Sequence, residues 1–119
     1  MSVPRGESGE LNRSALIVIP RQAFLDWLHF IDPTSSEITL EDLGQDPDIY
    51  LIPECEDEKE RADFLREMYS VIFEDLLHGW WTDEKDWPKD RSFDIFREWF
   101  DCRFHSMVID LCDQSLIEY

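Results

Sequence analysis

Ala15-Leu16-Ile17-Val18-Ile19-Pro20 is the stretch whose reading decides the fold. It is an unbroken apolar run, β-branched from Ile17 to Ile19 and closed by a proline. A strand written this way is apolar on both faces, and such strands are typical of parallel sheets covered on both sides by helices. Pro20 then opens a helix, where its missing N–H costs nothing. Phe24, Leu25, Trp27, Leu28 and Ile31 form an i, i+3, i+4, i+7 stripe on that helix. Asp32-Pro33 ends it, because the residue before a proline is pushed out of the helical region. Thr39-Leu40-Glu41-Asp42 reads as a cap and a short helical turn closed by Gly44.

A second strand follows at Asp48-Ile49-Tyr50-Leu51-Ile52-Pro53, again ended by proline. The longest helix is expected over residues 57–78. It has acids at its positive end, His78 at its negative end, and Gly79 as the residue that stops it. Phe64, Leu65, Met68, Ile72, Leu76 and Leu77 are its buried stripe, with Val71 and Phe73 widening it. Ser92 caps a fourth helix carrying Phe93, Phe96, Trp99 and Phe100, and Cys102–Cys112, which contains Met107-Val108-Ile109, reads as the third strand. The expected order is β-α-(α)-β-α-α-β. This is an α/β fold with a small three-stranded parallel sheet and about four helices around it, in one domain over residues 14–119. Residues 1–13 are polar, lack periodicity and read as a loose tail.

The chain has 119 residues, enough for one core, and 43% of them are hydrophobic. Charge is its extreme property: 11 Lys and Arg face 28 Asp and Glu, a formal net charge of −17. That field repels phosphate backbones and anionic lipid, disfavours self-association and attracts basic partners. Cys55, Cys102 and Cys112 cannot all pair within one chain, none lies in a C-x-x-C spacing, and no signal peptide or long apolar run is present. The expectation is a cytoplasmic, monomeric protein with free thiols.

No constellation of ligands points to a metal or other cofactor. His29, His78 and His105 show no H-x-x-x-H spacing, and Glu54, Glu56, Asp57 and Glu58 lack the alternation of a calcium loop. Cys55 follows the second strand, where open α/β sheets place ligands, yet acids flank it and disfavour the thiolate. A ligand or enzyme site at the carboxyl edge of the sheet, around Pro20, Arg21, Glu54 and Cys55, is therefore the alternative reading. The more distinctive feature is Trp80-Trp81-Thr82-Asp83-Glu84-Lys85-Asp86-Trp87. This loop either folds inward as a lid on the core or presents tryptophans ringed by acids to a basic protein segment. On the second reading the chain is a non-enzymatic binding module, and its contact residues are Trp80, Trp81, Asp83, Glu84, Asp86 and Trp87.

Five segments carry a resemblance. Ile19-Pro20 through Phe24-Leu25-Asp26-Trp27, Leu40-Glu41-Asp42-Leu43, Tyr50-Leu51-Ile52-Pro53-Glu54, Gly79-Trp80 through Trp87-Pro88, and Phe96-Arg97-Glu98-Trp99-Phe100 resemble a family of small acidic bacterial proteins of uncharacterised function. The likeness spans about Ile19 to Leu111 and brings no catalytic residues with it. The element order and acidity are also similar to barstar, the intracellular ribonuclease inhibitor, which implies a three-stranded parallel sheet. That second likeness is at the level of the fold, which does not determine function.

Overall fold

The central strand β1 spans Ser14–Pro20 and alternates in burial, with Ser14, Leu16 and Val18 inside and Ala15, Ile17 and Ile19 only half-covered. The computed structural model describes residues 10–117, so residues 1–9 of the expected tail lie outside the described residues. Within the tail's remainder, Glu10 bridges to Ile109 and the Leu11 N–H donates to the Val108 carbonyl at 2.8 Å. Helix α1 covers Gln22–Ile31, α2 Leu40–Gln45, α3 Glu58–Trp80 and α4 Phe93–Trp99. Strand β2 is Asp48–Ile52 and β3 is Phe100–His105. The expected α/β domain with three strands and four helices is thus present, and among the described residues no helix is long and apolar enough to cross a membrane.

The parallel arrangement is not. The strand order is β2-β1-β3 and both pairings are antiparallel, with Ser14 opposite Ile52, Val18 opposite Asp48 and Pro20 opposite Phe100. Chain lengths give the reason. After β1 leaves at Pro20, two helices in succession return the chain to the same end, so β2 runs back along β1. The 23 residues of α3 then span about 35 Å at 1.5 Å per residue, the whole length of the sheet. They deliver β3 to that same end, whereas α4, with 7 residues, adds little displacement. The parallel sheet implied by the likeness to barstar is accordingly not the one observed.

Antiparallel sheets commonly cover one face only, and this one does. Leu16, Val18, Ile52 and Phe100 join Phe24, Leu25 and Leu28 of α1 and Leu65, Ile72, Phe73, Leu76 and Leu77 of α3 in a single core. Its centre is aromatic: the Phe73 ring lies 5.4 to 5.7 Å from Phe96, Trp99 and Phe100, and Phe24 is 5.5 Å from Phe100. Tilted and edge-on pairs of this kind contribute about 0.5–1.5 kcal/mol each beyond area burial. The other face carries Ala15, Ile17 and Ile19 flanked by Ile49 and Leu51 on one side and Asp101, Arg103 and His105 on the other, and none of these joins the core.

Three local expectations change. Strand β3 ends at His105 rather than running to Cys112, because its ladder to β1 ends opposite Ala15. Gly79 does not stop α3: the Trp81 N–H still donates to the Leu77 carbonyl at 2.8 Å, and Trp80 packs edge-on to Phe24. Pro20 closes β1 instead of opening α1, whose N-cap is Arg21. Capping elsewhere follows the sequence. Thr39 and Asp42 form a reciprocal capping box, Asp57 accepts from the Glu60 N–H at 2.8 Å, and Ser92 accepts from the Ile95 N–H at 3.3 Å.

Candidate functional site

The tryptophan loop is built from inside outward. Trp87 is 6% exposed, and its indole Nε1 donates to the Trp81 carbonyl at 2.7 Å. Half-buried Trp81 donates from its own Nε1 to Asp86 Oδ2 at 2.9 Å, and Trp27 of α1 donates to the Asp86 carbonyl at 2.9 Å. Asp86 therefore receives two indoles and ties the loop to α1. Asp83 caps the short 3-10 turn Glu84–Asp86 by accepting from the Lys85 N–H at 3.1 Å. Arg91 stands 5.8 Å over the Trp87 ring and donates to the Pro88 carbonyl at 2.7 Å. The indoles of Trp27, Trp81 and Trp87 each find a protein partner without water, which makes the loop a shaped platform. Trp81, Asp86 and Trp87 are its frame.

Trp80 differs. It is 42% exposed, and its inner edge rests on Phe24 with centroids 6.1 Å apart. It borders a cavity of about 50 Å³ that Phe24, Phe100, Leu43, Asp46 and Asp48 also line. Drug-sized ligands need roughly 300–1,000 Å³, so this space suits the tip of a side chain. A second depression, lined by Asp48, Tyr50, Asp75, His78 and Gly79, adjoins it through Asp48. Tyr50 donates to Asp75 Oδ2 at 2.7 Å, and burial, then Asp75 and Asp48, push its phenol well above the ordinary range.

Burial and the neighbouring carboxylates Asp75 and Asp46 likewise raise the Asp48 pKa. A raised carboxyl pKa means that folding favours the protonated form, so this group helps stability at pH below its unfolded pKa and costs stability once pH rises through the folded one. Asp48→Asn is expected to raise stability at pH 7 by less than about 1 kcal/mol, given the partial solvent exposure. The gain should vanish near pH 3, and urea unfolding at the two pH values checks it; an equal effect at both would contradict the crowding.

The alternative site does not assemble. In an antiparallel sheet consecutive strands have no shared carboxyl edge, so Arg21 after β1 and Glu54 and Cys55 after β2 lie at opposite ends. The separation is about 20 Å at 3.3–3.4 Å per residue. Arg21 lines a hollow with Arg97, Asp101 and Cys102, and Glu54 lines another with Glu10, Glu56 and Met107. Arg21 is engaged by the Arg97 carbonyl, to which its Nη1 donates at 3.0 Å. Cys55 is buried, and its N–H donates to Ser14 Oγ at 3.0 Å. Burial first, then Glu60 and Asp57, raise its thiol pKa against the opposing pull of Arg61. Of the flanking acids expected to disfavour the thiolate, Asp57 does so, while desolvation is the larger cause. Cys102 is pushed up to about 11, by burial and then Asp101. All three cysteines are free. Among the described residues, no three His, Cys, Asp or Glu side chains converge as metal ligands.

Asp46, Asp48 and Tyr50 were not singled out as site residues by the sequence reading. Asp46-Pro47-Asp48 before an apolar strand is visible as an acidic entry, but its approach to Trp80 is a long-range consequence of how β2 meets the end of α3. The fold and site together define a two-layer α/β protein with an acidic, aromatic surface patch. Comparison with family models, with curated proteins and with solved structures found no match in any of the three.

Proposed function

We propose that this is a non-enzymatic, cytoplasmic binding module that engages a basic protein partner through the tryptophan-rich acidic loop. Trp80, Asp83 and Glu84 are the contact residues, while Trp81, Asp86 and Trp87 hold them in place. The observation that carries the reading is Trp80, 42% exposed beside a small cavity bordered by Asp46 and Asp48. An aromatic face next to carboxylates suits a lysine or arginine head, by cation–π attraction of about 0.5–2 kcal/mol and by charge pairing. The net charge of −17 supports it by steering cationic partners from a distance.

The test is a nuclear magnetic resonance titration with tetralysine, following the five tryptophan indoles. The Trp80 signal is expected to move most, and Trp80→Ala to weaken binding about tenfold, the loss of about 1.4 kcal/mol. Equal small shifts at all five indoles, with no loss in Trp80→Ala, would mean diffuse charge attraction and no site.

A further inference from the structure

Strand β2 ends the sheet, and no strand pairs with its outer edge among the described residues. Exposed edges invite pairing, and proteins usually blunt them with lysine, proline, bulges or a covering element. Here the strand is bounded by Pro47 and Pro53, yet its own residues include Ile49 and Leu51, 63% and 49% exposed. Val71, on the neighbouring face of α3, is 56% exposed. Between that strand and that helix lies an apolar groove of about 250 Å³, lined by Tyr50, Leu51, Phe64, Met68, Val71 and Asp75 among others. Isolated surface hydrophobics need no explanation; a groove aligned with an unpaired strand edge does.

We propose that the outer edge of β2 accepts an extended basic segment of a partner protein as a fourth strand. Main-chain hydrogen bonds from the edge would supply affinity, and alternate side chains of the added strand would fall to opposite faces. One set enters the groove beside Phe64, Met68 and Val71, and the other extends the open sheet face beside Ile49 and Leu51. Charge selects the occupant. The edge is flanked by Asp48 and Asp75, no Lys or Arg lines the groove, and the adjoining hollow runs past His78. Apolar residues that enter the groove, alternating with Lys or Arg that stay on the solvent side where the net charge of −17 favours them, match this surface. A second copy does not, since pairing two β2 edges brings together two chains that each carry −17. The proposal rests on the basic-partner reading and adds a surface and a mode distinct from the Trp80 contact.

The probe is a labelled octapeptide of alternating lysine and valine, compared with one in which two valines are replaced by proline. The alternating peptide is expected to bind the wild-type chain and to slow amide exchange across Asp48–Ile52, while the proline peptide does neither. Leu51→Lys and Val71→Lys are expected to weaken binding at least tenfold with Trp80→Ala unchanged, which separates this surface from the loop. Both sites are exposed, and circular dichroism confirms that the variants fold; the exchange measurement on the wild type stands without them. Equal binding of the two peptides, indifference to Leu51→Lys and Val71→Lys, or no binding at all would overturn the proposal. A dimer of the chain alone, dissociated by Leu51→Lys, would overturn it in favour of a second copy.

Discussion

Trp87→Ala is expected to lower the free energy of unfolding by about 3–5 kcal/mol, the range for removing a large aromatic from a core. Trp87 is 6% exposed and its indole holds the Trp81 carbonyl. The change leaves a cavity under Arg91 and frees the turn that positions Asp86. Trp80→Ala should cost only about 1–2 kcal/mol, because that ring is already partly in water. Urea unfolding of the two variants checks the contrast. Similar losses for both would mean that the loop has no inner and outer members, and that binding data on Trp80→Ala report stability.

The second large effect separates neighbours on the central strand. Leu16→Ala should cost about 2–5 kcal/mol, since Leu16 is fully buried. Ile17→Ala should cost about 1 kcal/mol, because the face it occupies carries no helix. A sheet covered on both sides would make the two substitutions equally damaging. This pair of unfolding measurements therefore distinguishes the observed two-layer architecture from the parallel arrangement expected of an apolar strand.

That expectation failed for a physical reason. Apolar residues at Ala15, Ile17 and Ile19 normally signal cover, and here they face outward beside Ile49 and Leu51. The helix stripes at Phe24–Ile31 and along α3, the capping residues Thr39 and Ser92, and the positions of the first two strands were legible, because each depends on neighbours a few residues away; Val71, expected to widen the buried stripe of α3, is instead 56% exposed. Strand direction was not, since it depends on how far each connection carries the chain. Strand β3 held a readable signal, the alternation of Phe100, Cys102 and Phe104 with Asp101, Arg103 and His105. The apolar Met107-Val108-Ile109 drew the reading past it.

The loop divides along the same line. Its tryptophans and acids stand out in the sequence, and both sequence readings capture part of the observed arrangement: Trp87 turns inward and Trp80 stays at the surface. What no local pattern could reveal is that Asp86 serves two indoles, one of them from α1. Nor could it reveal that Asp46 and Asp48 border the cavity beside Trp80. These depend on contacts spanning more than thirty residues of chain.

The most direct test of the central claim is affinity capture from a native lysate at low and then moderate salt, with mass spectrometry of each eluate. The account predicts one stoichiometric basic protein, released by salt because exposed charge pairs are screened within a Debye length of about 8–10 Å, and depleted when Trp80→Ala is the bait. An empty eluate, or an acidic protein retained through the salt step, would contradict it.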